Sequence, residues 1–283
     1  MITRFAPSPT GLLHLGHAYS ALVAFRAAER AKGRFLLRIE DIDHTRSRPA
    51  FEEAIYRDLH WLGINWETPV MRQSDRRNAY RDALDFLDER GLLYACTCTR
   101  RDIEAALSAP QEGDVQIGPD GPVYPGTCRD KNHPKSGATL RLNIVKAIEY
   151  LGDVALKDMS FQEVGQRYEG GHRLRPDDLL NGFGDIVLAR KDIGTSYHLA
   201  VVLDDAAQGV THIFRGEDMF SATYIHRLLQ ALFKLPVPQY HHHQLIRDED
   251  GKRLAKRDDA RAIAVYHRSG LSPEDVITKL PSI

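Results

Sequence analysis

The first part of the chain alternates short apolar runs with amphipathic ones. An apolar start at residues 2–6 is followed by a turn rich in Pro and Gly and by an amphipathic run at 18–32, which predicts a strand, a loop and a helix. Residues 34–39 form a second strand-like run, and helices are predicted at 49–62, with Pro in the first helical position, and at 74–89, with a Ser cap. This alternation predicts a parallel sheet covered by helices.

The middle of the chain interrupts this rhythm. Residues 94–169 hold all three cysteines and a loop rich in Pro, Gly and Asp. Alternation then returns, with strand candidates at 185–188, 197–203, 210–214 and 244–247, a helix at 221–233 and a capped helix start at Ser272. The pattern therefore predicts an α/β fold that contains an insertion.

Composition narrows the class of protein. The chain has 38 Lys and Arg against 39 Asp and Glu, so no overall positive field attracts nucleic acid and an RNA contact must come from a local basic patch. The sequence shows no signal-peptide core and no apolar run of membrane length, which predicts a soluble, cytoplasmic protein with no membrane partner. We separately expect a monomer. Three cysteines do not form a disulfide framework but leave metal binding open.

Two histidines, His14 and His17, stand where the first helix is predicted to begin. Unpaired backbone N–H groups and the positive end of the helix dipole favour an anion there, and imidazole N–H groups add further donors for phosphate oxygens. Gly16 has no side chain and allows a flat base to approach the backbone closely. The natural ligand of such a site is a nucleoside triphosphate.

The run from Arg4 to Gly11, followed by His14-Leu15-Gly16-His17, resembles the first signature of class I aminoacyl-tRNA synthetases, in the form found in their glutamyl branch. The resemblance implies a Rossmann-like catalytic domain with a zinc-bearing insertion and a short C-terminal helical remnant. The implied bounds are 1–93 with 170–235 for the catalytic domain, 94–169 for the insertion, and 236–283 for the remainder.

A basic loop near the end of the chain carries the second signature. Residues 253–257 resemble the lysine loop of the same family, and Lys256 matches its catalytic lysine. Ala255 stands where the family usually has serine. The resemblance therefore implies ATP as a substrate with Mg²⁺, with His14, His17 and Lys256 as catalytic residues and Gly16 beside them in the ATP site.

Glutamate requires partners for two carboxylates and one ammonium group. Arginine suits a carboxylate because its fork donates two parallel hydrogen bonds, and a carboxylate suits the ammonium. The family resemblance assigns glutamate binding to eight residues: Arg4, Phe5, Ala6, Pro7, Ser8, Glu40, Tyr197 and Arg215.

The cysteines form a candidate metal site. Cys96, Cys98 and Cys128 supply three thiolates, and zinc prefers four ligands. By resemblance to short glutamyl enzymes, Tyr124 is the fourth ligand, while His133 is the conventional alternative. Three unrelated buried thiols remain a third interpretation. The triple histidine 241–243 is assigned to packing rather than to metal binding.

Conventional glutamyl enzymes continue past the lysine loop with a helical region that reads the anticodon, whereas only a short segment follows here. The chain is similar to short glutamyl paralogues, which implies that it activates L-glutamate with ATP and transfers it to queuosine in the anticodon of tRNA(Asp). Two alternatives stay open: a truncated conventional synthetase that charges a tRNA 3′ end, and a non-enzymatic RNA-binding paralogue.

Overall fold

The computed structural model describes residues 1–108, 116–247 and 262–282. Its strands are β1 Ile2–Phe5, β2 Arg34–Ile39, β3 Glu67–Arg72, β4 Leu93–Cys96, β5 Ile117–Gly118, β6 Gly121–Pro122, β7 Thr139–Leu142, β8 Ser160–Glu163, β9 Gly170–Arg173, β10 Val187–Ala189, β11 His212–Gly216 and β12 Gln239–His243. Its helices are α1 Leu15–Arg30, α2 Pro49–Trp61, α3 Arg77–Asp88, α4 Arg100–Ser108, α5 Ile144–Lys157, α6 Pro176–Asp178, α7 Tyr197–Ala207, α8 Ala222–Leu232, α9 Ile263–Arg268 and α10 Pro273–Ile277. Within these ranges no helix is both long and apolar enough to cross a membrane.

Parallel strands form the centre of the fold, as predicted. The strands β1, β2 and β3 are parallel neighbours, and β11 pairs in parallel with β12, which pairs with β8. The two groups meet where the Thr211 N–H donates to the Ile2 carbonyl at 3.0 Å. The carboxyl ends of β1, β2 and β11 therefore lie at one edge, where open α/β sheets commonly bind ligands.

A separate antiparallel sheet has the order β10-β7-β4, and of its strands β7 and most of β4 belong to the predicted insertion. The strand β10 lies outside the predicted insertion at 94–169, whereas β8, inside it, pairs with β12 of the central sheet. The domain bounds themselves stay a prediction.

One predicted strand was wrong. Residues 197–203 belong to the helix α7, which begins after Ser196, whose side chain accepts the Leu199 N–H at 3.3 Å. Most of this run is buried, including Leu199, Ala200, Val201 and Val202. A short helix buried on most sides has the same apolar run as a buried strand, so periodicity does not separate them.

Several element bounds also differ from the prediction. The helix α1 begins at Leu15, before the predicted residue 18. Ser74 lies in a 3₁₀ turn, and its N–H donates to Asp41 Oδ1 at 2.8 Å, so Ser74 does not cap α3. Residues 244–246 are not a strand, because the preceding histidine run itself forms the end of β12.

Candidate active site

The two histidines of the first signature cap the helix α1. His14 Nδ1 accepts the Gly16 N–H at 3.1 Å, and His17 Nδ1 accepts the His14 N–H at 3.2 Å. Because both Nδ1 atoms accept, the neutral rings carry their protons on Nε2. The ring centroids lie 3.8 Å apart, so two Nε2–H donors stand together at the positive end of the helix dipole.

Gly16 keeps this cap in place. A Cβ atom at Gly16 would lie 3.0 Å from His14 Cε1 and 3.1 Å from His14 Nδ1, which is closer than side chains normally pack. A larger residue would therefore displace the His14 ring from its hydrogen bond. The same lack of a side chain leaves the backbone open towards the cavity beside it.

A cavity of about 460 Å³ lies between α1 and the carboxyl ends of the strands. It brings together most of the predicted site residues: Phe5, Ala6, Pro7, Ser8, His14, Gly16, His17, Glu40 and Tyr197. It is also lined by residues that the sequence reasoning missed: Ser20, Gly216, Asp218, Met219, His243, Leu245 and Ile246. His243 was assigned to packing, yet it lines the cavity, and its Nε2 lies 2.8 Å from Ser20 Oγ.

Arg4 and Arg215 are not among the described residues that line this cavity. Arg4 is buried and donates to Asp205 through Nε at 3.0 Å and Nη2 at 3.3 Å. The fully buried Arg38 donates to the same carboxylate at 2.7 Å and to Glu40 at 3.0 Å. Two cations and two anions thus form a charge-balanced cluster below the cavity.

The two carboxylates of this cluster respond differently to their surroundings. Burial opposes ionisation of Asp205, but the charges of Arg4 and Arg38 lower its pKa below 3.8. Burial raises the pKa of Glu40, although Arg38 and Arg4 act against this shift. Of the two, Glu40 is the carboxylate that faces the cavity.

Tyr197 is buried within the electric field of both the cluster and Arg215. It is the first residue of α7, and burial raises the pKa of its phenol while the charges of Arg215 and Arg4 oppose the shift. Arg215 itself is buried at the end of β11, where its guanidinium donates to His242, His226, Thr223 and the Met219 carbonyl. The predicted lysine loop, with Lys256 and Ala255, lies outside the described residues.

The insertion places the predicted metal ligands next to one another. The Sγ atoms of Cys96, Cys98 and Cys128 lie within 4.8 Å of one another, and Cys98 Sγ is 3.5 Å from Cys128 Sγ. The Tyr124 hydroxyl oxygen lies 3.4 Å from both Cys96 Sγ and Cys98 Sγ. His133 is not part of this group, and its Nε2 lies 3.5 Å from Thr97 Oγ1.

These distances fit a tetrahedral zinc site. With Zn–S near 2.3 Å and Zn–O near 2.0 Å, tetrahedral geometry places two sulfurs about 3.8 Å apart and a sulfur about 3.5 Å from an oxygen. Burial opposes ionisation of Cys128, but hydrogen bonds from Tyr124, Cys98 and Thr97 together lower its pKa to about 6, which prepares a thiolate. The cluster could therefore hold a metal ion.

A second cavity, of about 500 Å³, adjoins the first and lies between the insertion and the start of the helices α7 and α8. The two cavities share Tyr197, Asp218 and Met219. The lining of the second cavity is mixed in charge: it contains Arg100, Arg141 and Arg190 together with the carboxylates of Glu104, Asp120, Asp185 and Asp218. A ligand in the second cavity would reach the first at Tyr197.

Comparison with known proteins identifies the family. The model of tRNA synthetases class I (E and Q), catalytic domain, matches residues 1–281. The glutamyl-Q tRNA(Asp) synthetase of Rhodobacter capsulatus is 59% identical over 276 residues, covering 98% of each chain, and that of Nocardia farcinica is 42% identical over 285 residues, covering 98% of this chain and 82% of the relative. The glutamate-tRNA synthetase structure from Elizabethkingia anophelis superposes with a TM-score of 0.69 at 25% identity.

That superposition covers 92% of this chain and 53% of the solved one, so this chain spans about half the length of that structure. The α/β fold agrees with the family model and with the solved synthetase, and the members of this family are ligases that use ATP. The chain therefore belongs to the class I tRNA synthetases of the E and Q group, and within that group to the glutamyl-Q tRNA(Asp) synthetases.

Proposed function

We propose that this ligase activates L-glutamate with ATP and transfers the glutamyl group to queuosine in the anticodon of tRNA(Asp). The observation that carries the proposal is the 59% identity, over 98% of both chains, to a protein named for this reaction. The cavity at the helix α1 supports it, because it combines an anion-binding helix terminus with a carboxylate. A non-enzymatic binder would not require this combination.

In the first step, a glutamate carboxylate oxygen attacks the α-phosphorus of ATP, the bond to the β-phosphate oxygen breaks, and pyrophosphate leaves. ATP enters as its Mg²⁺ complex, and the metal ion neutralises phosphate charge. We assign the Nε2–H donors of His14 and His17 to the triphosphate and Lys256 to the charge that develops at the α-phosphate. Gly16 leaves room for the adenine base.

We assign the glutamate to the pocket formed by Phe5, Ala6, Pro7, Ser8, Glu40 and Tyr197, with Arg4 and Arg215 beneath it. Glu40 lines the cavity and its Oε1 accepts from Arg38, which leaves Oε2 for the substrate ammonium. Tyr197 and the two buried arginines stabilise the carboxylates. Because the charges of the cluster below are balanced, glutamate, with two carboxylates and one ammonium group, adds a net charge of only −1 to the site.

In the second step, a hydroxyl of the acceptor attacks the glutamyl carbonyl, loses its proton, and AMP leaves. Queuosine supplies cyclopentene hydroxyls that an unmodified guanine lacks. The second cavity supports a nucleoside acceptor because it opens onto the first at Tyr197, and its mixed lining offers arginine donors for phosphate oxygens as well as carboxylates that accept from base or sugar N–H and O–H groups. Anticodon bases can be splayed out of the loop to enter such a cavity.

We also propose one structural zinc ion, bound by Cys96, Cys98, Tyr124 and Cys128. The sulfur and oxygen distances support this set, and the position of His133 beside Thr97 favours Tyr124 as the fourth ligand. Burial raises the pKa of Tyr124, so binding must displace the phenol proton. The metal would hold the start of the insertion, at the end of β4, to the loop that follows β6.

The test uses two acceptors. An anticodon stem-loop of tRNA(Asp) that carries queuosine has the modified base but no acceptor 3′ end, and a full tRNA without queuosine has the reverse. We expect labelled glutamate, with ATP, on the first and not on the second. Label that follows an intact 3′ end would instead indicate a conventional synthetase, and no label with no glutamate-dependent pyrophosphate exchange would indicate the non-enzymatic alternative.

A further inference from the structure

The buried Arg215 is the centre of a hydrogen-bonded chain of side chains that runs from Glu163 to Asp120. Its Nε donates to His242 Nε2 at 3.0 Å, its Nη1 donates to His226 Nδ1 at 3.1 Å, and its Nη2 donates to Thr223 Oγ1 at 2.6 Å and to the Met219 carbonyl at 3.2 Å. A guanidinium has five N–H groups. Described partners take four of them, and no described residue takes the second Nη1–H.

Arginine donates hydrogen bonds and does not accept them, so every hydrogen bond in the hydrogen-bonded chain is donated outwards from Arg215. His226 must accept at Nδ1, so its neutral ring carries the proton on Nε2, which lies 3.1 Å from His198 Nδ1. His198 must then accept at Nδ1 and carry its proton on Nε2. That atom lies 3.1 Å from both carboxylate oxygens of Asp120, which accepts the last bond.

The other arm follows the same logic. His242 accepts from Arg215 at Nε2, so its proton is on Nδ1, which lies 2.5 Å from the buried carboxylate of Glu163. Burial lowers the pKa of His242 to about 4, and burial together with the charge of Arg215 lowers the pKa of His226 well below 6.5. Both rings are therefore neutral at neutral pH, so each has the unprotonated nitrogen that it needs to accept a hydrogen bond from Arg215.

The two ends of the chain lie in different surroundings. Glu163, on β8, is fully buried, whereas the side chain of Asp120 is 61% exposed and lines the second cavity, in the turn between β5 and β6 of the insertion. The hydrogen bond from His198 lowers the pKa of Asp120, so this end is an anion. Arg215 is thus connected through histidines to two anions: Glu163 in the core, and Asp120 at the second cavity, which we assign to the acceptor nucleoside.

We propose that His198, His226 and His242 are positioning residues, which hold Arg215 with a single Nη1–H directed to substrate, and that Asp120 anchors this chain to the insertion. This inference rests on the proposed function, in which Arg215 serves the glutamate. It assigns selectivity for glutamate to side chains that do not touch the amino acid. Binding of the nucleotide at the helix α1 should not depend on this hydrogen-bonded chain.

The first test separates the two substrates. In pyrophosphate exchange, His226→Leu removes one acceptor of Arg215 and should raise the KM for glutamate about tenfold, the scale of one charge-assisted hydrogen bond, while the KM for ATP stays within about twofold. His226→Asn, whose side-chain oxygen can accept from Arg215, should recover most of the loss. Asp120→Ala should raise the glutamate KM by a smaller factor, because water can replace the exposed carboxylate.

The matched control is His241→Leu. His241 is a half-buried histidine of β12 next to His242, but it takes no part in the hydrogen-bonded chain, so its substitution should alter neither the KM for glutamate nor the KM for ATP. Equal increases of both KM values in His226→Leu would show a general structural defect and would overturn the proposal. An unchanged glutamate KM in that variant would also overturn it.

The second test does not depend on activity. Long-range ¹H–¹⁵N spectra of the full chain, labelled in histidine and assigned by the single variants, report which ring nitrogen carries the proton. We expect Nε2–H for His198 and His226 and Nδ1–H for His242. If the wild-type protein shows no glutamate-dependent exchange but has these tautomers, the proposed function fails and the hydrogen-bonded chain stands; any other tautomer pattern overturns the chain itself.

Discussion

The substitution Asp205→Asn tests the charge-balanced cluster below the candidate active-site cavity. Asp205 accepts three hydrogen bonds from two buried guanidinium groups, Arg4 and Arg38, and only 7% of its side chain is exposed. The amide has nearly the same shape but no charge, so one of the two cations loses its counter-ion. Removing one partner of a buried ion pair costs about 3–5 kcal/mol, and we expect a loss of unfolding free energy in this range.

The assay is urea unfolding, with Glu67→Gln as the matched control. Glu67 pairs with Arg34 at the surface, where their side chains are 44% and 54% exposed, and solvent screens such a pair so that it contributes little to the free energy of unfolding. If Asp205→Asn lowers the free energy of unfolding no more than Glu67→Gln does, the buried charges do not hold Arg4 in place. That result would refute the proposal that the charge-balanced cluster stabilises the fold.

The pH dependence gives an independent check of the same prediction. The folded-state pKa of Asp205 lies below its ordinary value of 3.8. The stability that its ionised form contributes is therefore fully present above pH 3.8 and is lost as the pH falls through the folded-state pKa. The difference in stability between the wild-type protein and Asp205→Asn should narrow over that acidic range, and a constant difference would contradict the assignment.

Three further predictions concern the chemistry. Lys256→Ala should lower glutamate-dependent pyrophosphate exchange, measured without tRNA, by about two orders of magnitude or more, and exchange at the wild-type rate would exclude Lys256 from the activation step. Tyr124→Phe should lose zinc in metal analysis of the tag-free protein while His133→Ala keeps it; the opposite result would make His133 the fourth ligand. Gly16→Ala should displace the His14 ring and raise the KM for ATP, with a loss of about 1 kcal/mol of stability from the cap, and an unchanged KM would show that the ring does not contact the nucleotide.

Local patterns in the sequence predicted the elements that carry the site. The strand β2 has the predicted bounds, and the helix α2 begins at its predicted Pro49. The cysteine cluster was also predictable, because its four residues lie within a short stretch of one insertion. The helix α7 was not, because its buried face leaves no amphipathic period to distinguish it from a strand.

Sequence alone therefore determined the family, the start of a helix near His14 and the three cysteines of the candidate metal site, since each depends on residues close together in the chain. Only the tertiary structure decided what surrounds them. Arg4 and Asp205 are 201 positions apart, and His198 and Asp120 are 78 apart. Their pairing follows from which strands and helices pack together, and a hydrogen bond between distant segments leaves no periodic trace in the sequence of either one.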